Sequence, residues 1–273
     1  MTGNAQPHPL SWEEAVAWLR AQPDRQALVR ACFYDDPLLE AARRFHDSSE
    51  WRAVRKLLPP VPGRALDVGA GRGVATYALA RDGWNVAALE PDLSALVGAE
   101  AIRALMTEAR LSAEIVTEWG EALPFADGRF DVVHCRQVLH HARDLPQLLR
   151  EVARVLKPGG RMVATREHVI SRPEDLQAFL DSHPLHHLYG GENAFLLRDY
   201  HAAIAGAGLT LVASLNPLQS DINLFPSTIE EQRAQMARSL HLPKAFIPDW
   251  LMRWRGDRLT APGRLYTFVA DKR

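Results

Sequence analysis

Residues 67–73 combine an acid with a turn that could bind a small zwitterion. They read Asp-Val-Gly-Ala-Gly-Arg-Gly, after the short apolar run 64–66 and before residues 74–80, which open a helix. Glycine lets the backbone turn sharply and approach a ligand closely. The free N–H groups at the start of a helix favour an anion. This stretch therefore predicts a ligand-binding turn between a strand and a helix.

The glycine spacing of this turn separates two classes of ligand. Dinucleotides usually require G-x-G-x-x-G, whereas here Val74 stands where the third glycine of that fingerprint would fall. The carboxylate of Asp67 would repel a pyrophosphate and attract an ammonium. The pattern therefore favours a ligand with an amino-acid end, such as S-adenosylmethionine, its ammonium on Asp67 and its carboxylate on the helix N-terminus. A nucleotide phosphate site and a plain tight turn remain alternatives.

Polar residues also occur at or just after the ends of the second, third and fourth predicted strands. Glu90 ends the second strand, about 20 residues beyond the glycines, where an acid can accept hydrogen bonds from both ribose hydroxyls. Residues 119–125 precede the fourth strand and are a plausible wall for a purine. Residues 136–141 follow that strand. Ligands of open α/β sheets bind at the carboxyl ends of the strands, so these segments are expected to share one cleft.

The order of predicted elements indicates how this cleft is built. Strands and helices alternate from residue 61 to residue 166, which favours a doubly wound, mostly parallel sheet. Farther on we predict a helix, a strand and a last strand near the C-terminus. The predicted strands are 64–68, 84–90, 113–117, 130–135, 161–165, 209–215 and 265–270, and the helices of the body are 92–109, 144–156 and 198–207.

Helical periodicity also marks the N-terminal part, where Ser11 and Glu14 have the spacing of a capping box. The proline-rich run 59–63 is a plausible boundary. We therefore predict an N-terminal helical cap, residues 1–60, and an α/β body, residues 61–273, with insertions at 167–197 and 216–263.

The body resembles a known family, the class I S-adenosylmethionine-dependent methyltransferases of the small-molecule type related to ubiquinone and menaquinone methyltransferases. The resemblance covers about residues 61–166. It implies a Rossmann-like seven-stranded sheet whose last strand is antiparallel. The matching segments are Leu66-Asp67-Val68-Gly69-Ala70-Gly71-Arg72-Gly73, Glu90-Pro91-Asp92, Leu123-Pro124-Phe125 with Phe130-Asp131-Val132-Val133, and Leu148–Leu156 with Lys157-Pro158-Gly159-Gly160.

The resemblance also implies which residues hold the cofactor. The glycine turn would lie under the methionine end, Glu90 on the ribose and Glu121 near the adenine. Many relatives have an acidic residue at position 119 or 120, whereas here only Glu121 remains. The predicted cofactor-binding residues are Asp67, Gly69, Ala70, Gly71, Gly73, Glu90, Pro91, Asp92, Glu121, Ala122, Arg136 and Gln137.

Histidines are the candidates for acting on a methyl acceptor, because a hydroxyl acceptor needs a base and histidine titrates near neutrality. His140 and His141 follow the fourth strand, and His168 follows the fifth; these three are the predicted catalytic residues, although a structural role in the turn remains an alternative for the first two. The resemblance does not account for the histidine-rich segment 183–193. The predicted acceptor-binding residues are Tyr34, Glu167, His183, His187 and Tyr189.

The same region leaves metal binding open. Its histidine spacing gives no recognised metal motif, so we predict no metal site. The alternative is a divalent metal bound by some of Glu167, His168, His183, His187 and Glu192.

Composition limits the functional classes. The net charge is −1 and 47% of the 273 residues are hydrophobic, so nothing indicates a nucleic-acid partner. No apolar run approaches the roughly 18 residues that span a bilayer, and we expect a cytoplasmic protein without membrane insertion, which could form oligomers. The predicted function is S-adenosylmethionine-dependent O-methylation of a small-molecule acceptor. The alternatives are an NAD-dependent oxidoreductase and a non-catalytic S-adenosylmethionine-binding module.

Overall fold

A central sheet of eight strands organises the computed structural model, which describes residues 9–273. Seven strands follow the order β3-β2-β1-β4-β5-β8-β7, and the short β6 pairs with β5 off this path. The strands are β1 Arg64–Val68, β2 Asn85–Leu89, β3 Glu114–Val116, β4 Phe130–Arg136, β5 Leu156–Ile170, β6 Phe195–Leu196, β7 Leu209–Leu215 and β8 Arg264–Lys272.

The pairing confirms a mostly parallel, Rossmann-like sheet. Strand β1 pairs in parallel with both β2 and β4, so the chain reverses its direction of winding at β1. Strand β8 is antiparallel to β5 and β7, as expected for the last strand. The eighth strand arises because β5 extends to Ile170, and its end pairs with β6 inside the predicted insertion 167–197.

Helices cover both faces of the sheet. Leu66 and Val133 belong to the hydrophobic cluster on one face, and their neighbours Ala65 and Val132 belong to the cluster on the other. This alternation is that of strands buried on both faces. The helices are α1 Trp12–Ala21, α2 Gln26–Ala31, α3 Leu38–His46, α4 Ser49–Arg55, α5 Val74–Arg81, α6 Ala99–Ala109, α7 Leu145–Val155, α8 Asp175–Ser182, α9 His186–Tyr189, α10 Leu197–Gly206, α11 Asp221–Leu224, α12 Ile229–Ser239 and α13 Asp249–Asp257.

Most predicted helices form close to their predicted limits, but α6 begins later than expected. The sequence predicted a start at Asp92, whereas the helix begins at Ala99. The side chain of Asp92 accepts a hydrogen bond from the amide of Ser94, and Ser94 Oγ accepts from the amide of Leu96. Such side-chain bonds compete with helix formation, so residues 92–98 form a loop.

Helices α1–α4 occupy the part of the chain predicted as a cap, whose first eight residues lie outside the described range. The capping box of Ser11 and Glu14 is confirmed. Phe33, Phe45 and Trp51 share a hydrophobic cluster with residues of the body. Helices α3 and α4 are therefore packed into the core of the α/β body, while the boundary at residue 60 stays a prediction.

A buried ion pair also joins α4 to the sheet. The Glu50 carboxylate accepts hydrogen bonds from Nε of Arg136 at 2.6 Å and from Nη2 at 3.1 Å. Burial alone would raise the pKa of Glu50, but the Arg136 and Arg166 guanidinium groups outweigh it and hold the pKa below its usual value. Glu50 is therefore ionised and compensates the buried charge of Arg136.

Removing Glu50 should strongly destabilise the fold. Glu50→Ala leaves the Arg136 guanidinium buried without its partner, and breaking a buried pair in this way costs about 3–5 kcal/mol of the free energy of unfolding. Urea denaturation monitored by tryptophan fluorescence measures the loss. The matched control is Glu40→Ala, an exposed acid on α3, which should stay within about 0.5 kcal/mol of the wild type. Equal stabilities of the two variants would contradict the account.

No helix within residues 9–273 is both long enough and apolar enough to cross a membrane.

Candidate active site

A cavity of about 360 Å³ lies where the carboxyl ends of β1, β2 and β4 meet. Its lining brings together the glycine turn after β1, Glu90 after β2 and residues 136–141 after β4. Tyr34 lines it from the N-terminal part of the chain, and His183 from the C-terminal end of α8. Residues from the segments that were predicted to share one cleft therefore line one cavity, and volumes of this size are typical of small-molecule sites.

The glycine turn has the backbone that its sequence predicts. Gly69, Gly71 and Gly73 all have positive φ, at 61°, 54° and 83°. A Cβ at Gly69 would lie 2.6 Å from Cγ2 of Val138, so the turn also needs glycine for close packing. At Gly71 the nearest heavy atom would be 4.0 Å away, because this residue borders the open cavity. The turn therefore leaves its backbone accessible to a ligand.

Asp67 is held at the floor of the cavity by two neighbours. It is 1% exposed; its Oδ2 accepts from Oγ1 of Thr76 at 2.7 Å, and its Oδ1 lies 2.9 Å from Nδ1 of His134. His134 is opposite Asp67 in the β1–β4 register. Sequence reasoning missed both partners, although a histidine within the apolar strand 130–135 was a usable signal. Two partners fix the carboxylate and leave its remaining lone pairs for a cation.

Glu90 accepts two backbone hydrogen bonds beside the turn. Its Oε2 accepts from the amide of Gly71 at 2.7 Å and its Oε1 from the amide of Asp92 at 3.0 Å. Burial raises the pKa of Glu90 to about 7, with further upward contributions from the carboxylates of Asp92 and Asp67. The side chain is therefore fixed at the cavity wall with both oxygens able to accept from a diol.

The predicted adenine wall lies at the rim of the cavity. Trp119 is 55% exposed, and the Arg143 guanidinium lies 4.4 Å from the centre of its ring. Glu121 lines the cavity, and its Oε1 accepts from the amide of Arg143 at 3.0 Å. Ala122 does not appear in the cavity lining. The wall is thus formed mainly by Trp119, Gly120 and Glu121.

Three histidines present the same ring nitrogen to the cavity. Nδ1 of His140 lies 2.7 Å from Oε2 of Glu167, Nδ1 of His141 3.0 Å from the carbonyl of Gly191, and Nδ1 of His168 2.8 Å from the carbonyl of Gly263. Because carbonyl and carboxylate oxygens accept hydrogen bonds, each Nδ1 carries the hydrogen. Each neutral ring therefore has its lone pair on Nε2.

Burial keeps the rings of His140 and His168 neutral. It lowers the pKa of His140 well below its usual value and that of His168 to about 3. Glu167 is fully buried, accepts from the amides of Val138 and His140 at 3.1 Å each, and orients the His140 ring. The sequence predicted Glu167 as an acceptor-binding residue, whereas its contacts are those of a positioning residue.

Glu192 is the acidic residue that lies beside these histidines at the cavity. Its Oε1 accepts from the hydroxyl of Tyr189 and lies 3.6 Å from Nε2 of His183. Burial would raise the pKa of Glu192, but the nearby His141 and His183 hold it below its usual value. Glu192 was named in the sequence only as a metal alternative, because its position beside residues 140 and 168 depends on the fold.

The remaining predicted residues fall into two groups. Gln137 and Pro91 line the cavity; Arg136 also borders it, with its guanidinium on Glu50. Outside the cavity lining are Gly73, which is the N-cap of α5, Asp92 in the loop before α6, Tyr189, which reaches the site through Glu192, and the exposed His187 near Trp18.

Comparison with known proteins assigns the central part of the chain to a family. Residues 66–164 match the model of a family described as a methyltransferase domain. These residues form a class I S-adenosylmethionine-dependent methyltransferase domain, which confirms the resemblance seen in the sequence, and S-adenosylmethionine is the cofactor of that class.

Two curated relatives match over less than half of this chain. A demethylmenaquinone methyltransferase of Corynebacterium kroppenstedtii is 37% identical over 41% of this chain and 46% of its own length. A ubiquinone biosynthesis O-methyltransferase of Ralstonia nicotianae is 32% identical over 47% of this chain and 58% of its own. The chain thus spans about half the length of these relatives.

A solved structure extends the likeness to nearly the whole fold. Geranyl diphosphate C-methyltransferase from Streptomyces coelicolor A3(2) superposes with a TM-score of 0.62 at 16% identity, over 98% of this chain and all of that one. At this identity the likeness concerns the fold.

Proposed function

We propose that this protein transfers the methyl group of S-adenosylmethionine to an oxygen of a small-molecule acceptor. The observation that carries the proposal is that one cavity contains both halves of such a site, the glycine turn with Glu90 and the histidines with Glu192. One relative is, by its name, an O-methyltransferase. A cytoplasmic location, the absence of nucleic-acid partners and an oligomeric state stay predictions.

The cofactor half of the cavity fits S-adenosylmethionine by its donors and acceptors. This cofactor supplies an electrophilic methyl group on a sulfonium. Asp67 would provide a negative charge for the ammonium, the free amides where the glycine turn leads into α5 would favour the carboxylate, and Glu90 would accept from the ribose hydroxyls. These residues would hold the amino-acid and ribose parts at fixed positions, and alignment is the largest part of catalysis of an in-line transfer.

The acceptor half fits a hydroxyl. His140 presents an unprotonated Nε2 to the cavity, and Glu167 fixes the orientation of its ring. The hydroxyl of the acceptor would donate toward this nitrogen, so that an oxygen lone pair points to the methyl carbon. We therefore propose that His140 is the residue that activates the acceptor, with His141 and His168 beside it.

Two measurements test this function. A thermal-shift comparison should show stabilisation by S-adenosylmethionine and S-adenosylhomocysteine and none by NAD. Assay of S-adenosylhomocysteine release over a panel of phenols, sugars and lipid alcohols should then identify an acceptor. Stabilisation by NAD alone would support the oxidoreductase, and tight S-adenosylhomocysteine binding without turnover on any acceptor would support a non-catalytic module.

The ionisation of Glu90 should make cofactor binding depend on pH. With a pKa of about 7, the carboxyl is protonated in half of the free molecules at neutral pH. Two ribose hydroxyls require the ionised form, so binding releases that proton. We expect the Kd for S-adenosylhomocysteine, measured by calorimetry, to be constant above about pH 8 and to rise up to about tenfold per unit below pH 7.

Glu90→Gln is the matched control for this prediction. The amide keeps one acceptor oxygen but does not titrate, so its Kd should be weaker at about pH 8, by roughly 10- to 100-fold, and flatter between about pH 6 and 8. Identical pH profiles of wild type and variant would contradict the assigned role of Glu90.

A further inference from the structure

His140, His168 and Glu192 converge on one point of the cavity wall. One nitrogen or oxygen atom from each lies within 4.8 Å of the others. They come from three separate segments, the turn after β4, the end of β5 and the loop before β6. The rings of His140 and His168 have centroids 4.6 Å apart.

The contact between His140 and Glu192 is not a hydrogen bond. Nε2 of His140 lies 3.8 Å from Oε2 of Glu192, beyond hydrogen-bond distance. A carboxylate beside an N–H normally closes to about 2.8 Å, but this Nε2 carries no hydrogen to donate. Two ligands of one ion with bonds of about 2.0–2.2 Å stand about 3.0–3.5 Å apart, close to the observed value.

Each candidate ligand is also oriented from behind. Nδ1 of His140 donates to Glu167, and Nδ1 of His168 donates to the carbonyl of Gly263. The hydroxyl of Tyr189 donates to Oε1 of Glu192, which leaves Oε2 for the cavity. Metal-binding histidines characteristically donate their other ring N–H to a carboxylate or a backbone carbonyl in this manner.

His183 differs from these residues. Its Nδ1 accepts from the amide of Leu185 at 3.4 Å, which places the hydrogen on Nε2, facing Oε1 of Glu192. It therefore acts as a donor to Glu192. Nε2 of His141 lies 4.0 Å from Oε2 of Glu192, and this side chain is 38% exposed, at the edge of the group.

We propose that His140, His168 and Glu192 bind a divalent transition-metal ion, through Nε2, Nε2 and Oε2. Two imidazoles and one carboxylate suit Zn²⁺ or Fe²⁺, whereas Mg²⁺ prefers oxygen ligands. Three protein ligands leave coordination positions open, as in catalytic sites. The site departs from the sequence-based expectation of no metal, because its ligands lack local spacing.

The ion would deepen the proposed function, on which this step rests. With the lone pair of Nε2 on the ion, the ion takes over the contact with the acceptor hydroxyl that the proposed function gives to this nitrogen. An acceptor hydroxyl that reaches an open position has its pKa lowered and loses its proton to water. The oxygen then forms the bond to the methyl carbon, the carbon–sulfur bond breaks, and its electron pair stays on sulfur. His140 activates the acceptor through the ion and does not itself take the proton.

Metal binding can be measured without any acceptor. The full chain is treated with a chelator, dialysed and titrated with Zn²⁺ by calorimetry, with Co²⁺ absorption as a report on ligand geometry. We expect one Zn²⁺ per chain and little response to Mg²⁺. His140→Gln, His168→Gln and Glu192→Gln should each weaken Zn²⁺ binding at least about 100-fold, and Glu167→Gln about 10- to 100-fold.

His187→Ala is the matched control, because His187 belongs to the same segment as Glu192 but is exposed and outside the cavity lining. Its Zn²⁺ affinity should equal that of the wild type. Thermal unfolding without metal verifies that each variant is folded. The proposal is overturned if the folded wild type binds no Zn²⁺, or if the ligand variants bind it as tightly as the wild type.

The outcomes for metal and for methyl transfer are separable. Methyl transfer that persists unchanged in chelator-treated, Zn²⁺-free protein would reject the role of the ion in the reaction and leave the proposed function standing. Absence of S-adenosylhomocysteine binding would reject the proposed function, whatever the result for Zn²⁺.

Discussion

Asp67→Asn should raise the Kd for S-adenosylhomocysteine by about 10- to 150-fold. The substitution removes the charge that faces the ammonium but keeps the size of the side chain and an oxygen for Thr76. Hydrogen bonds to a charged group contribute about 1.5–3 kcal/mol, which corresponds to that range of affinity. Isothermal titration calorimetry at pH 8 measures the change directly.

Asp67→Ala is the more severe variant. It leaves the side chains of His134 and Thr76 buried without their partner, so stability should also fall, by about 1–3 kcal/mol for each unsatisfied group. Cofactor binding should be lost. Thr76→Val separates the two effects, because it removes one partner of Asp67 and keeps the charge; its affinity should stay closer to wild type than that of Asp67→Asn. Unchanged affinity in Asp67→Asn would refute the role of Asp67.

His140→Ala should lower kcat by about 10²- to 10⁴-fold, the usual range for a group that assists proton removal. The Kd for S-adenosylhomocysteine should stay within a few-fold of wild type, because the ring faces the acceptor half of the cavity. The measurement requires the acceptor that the panel identifies. A kcat near that of wild type would assign the activation of the acceptor to another residue.

His241→Asn is the control for loss of a histidine as such. His241 is exposed, after α12, and has a φ of 54°, a conformation that asparagine tolerates. Its kcat should equal that of the wild type. Since His140 is buried, thermal unfolding of His140→Ala and of the less disruptive His140→Gln establishes whether a lower kcat reflects chemistry or a lost fold.

The cofactor half of the site could be predicted because its signals are local. The acid, the three glycines and the helix start occupy one continuous stretch, and Glu90 follows at a spacing that the next strand dictates. A parallel sheet then brings both strand ends together without further information. The contacts of Asp67 with His134 and Thr76 needed the β1–β4 register and the placement of α5, which no local pattern records.

The acceptor half was predicted in its residue types but not in its arrangement. Histidines 140, 141, 168 and 183 were recognised, yet Glu167 orients a ring and His187 lies at the surface. The difference arises from long-range structure, since β5 continues five residues beyond its predicted end at residue 165, and this extension pairs with β6 and β8. Glu192 reaches His140 because of that extension.

A crystal structure with S-adenosylhomocysteine tests the central claim most directly. The account predicts the ligand's ammonium beside Asp67, its carboxylate at the backbone amides of the glycine turn, and both ribose hydroxyls within hydrogen-bond distance of Glu90. A turn left empty at saturating ligand, or ligand bound elsewhere in the molecule, would contradict it.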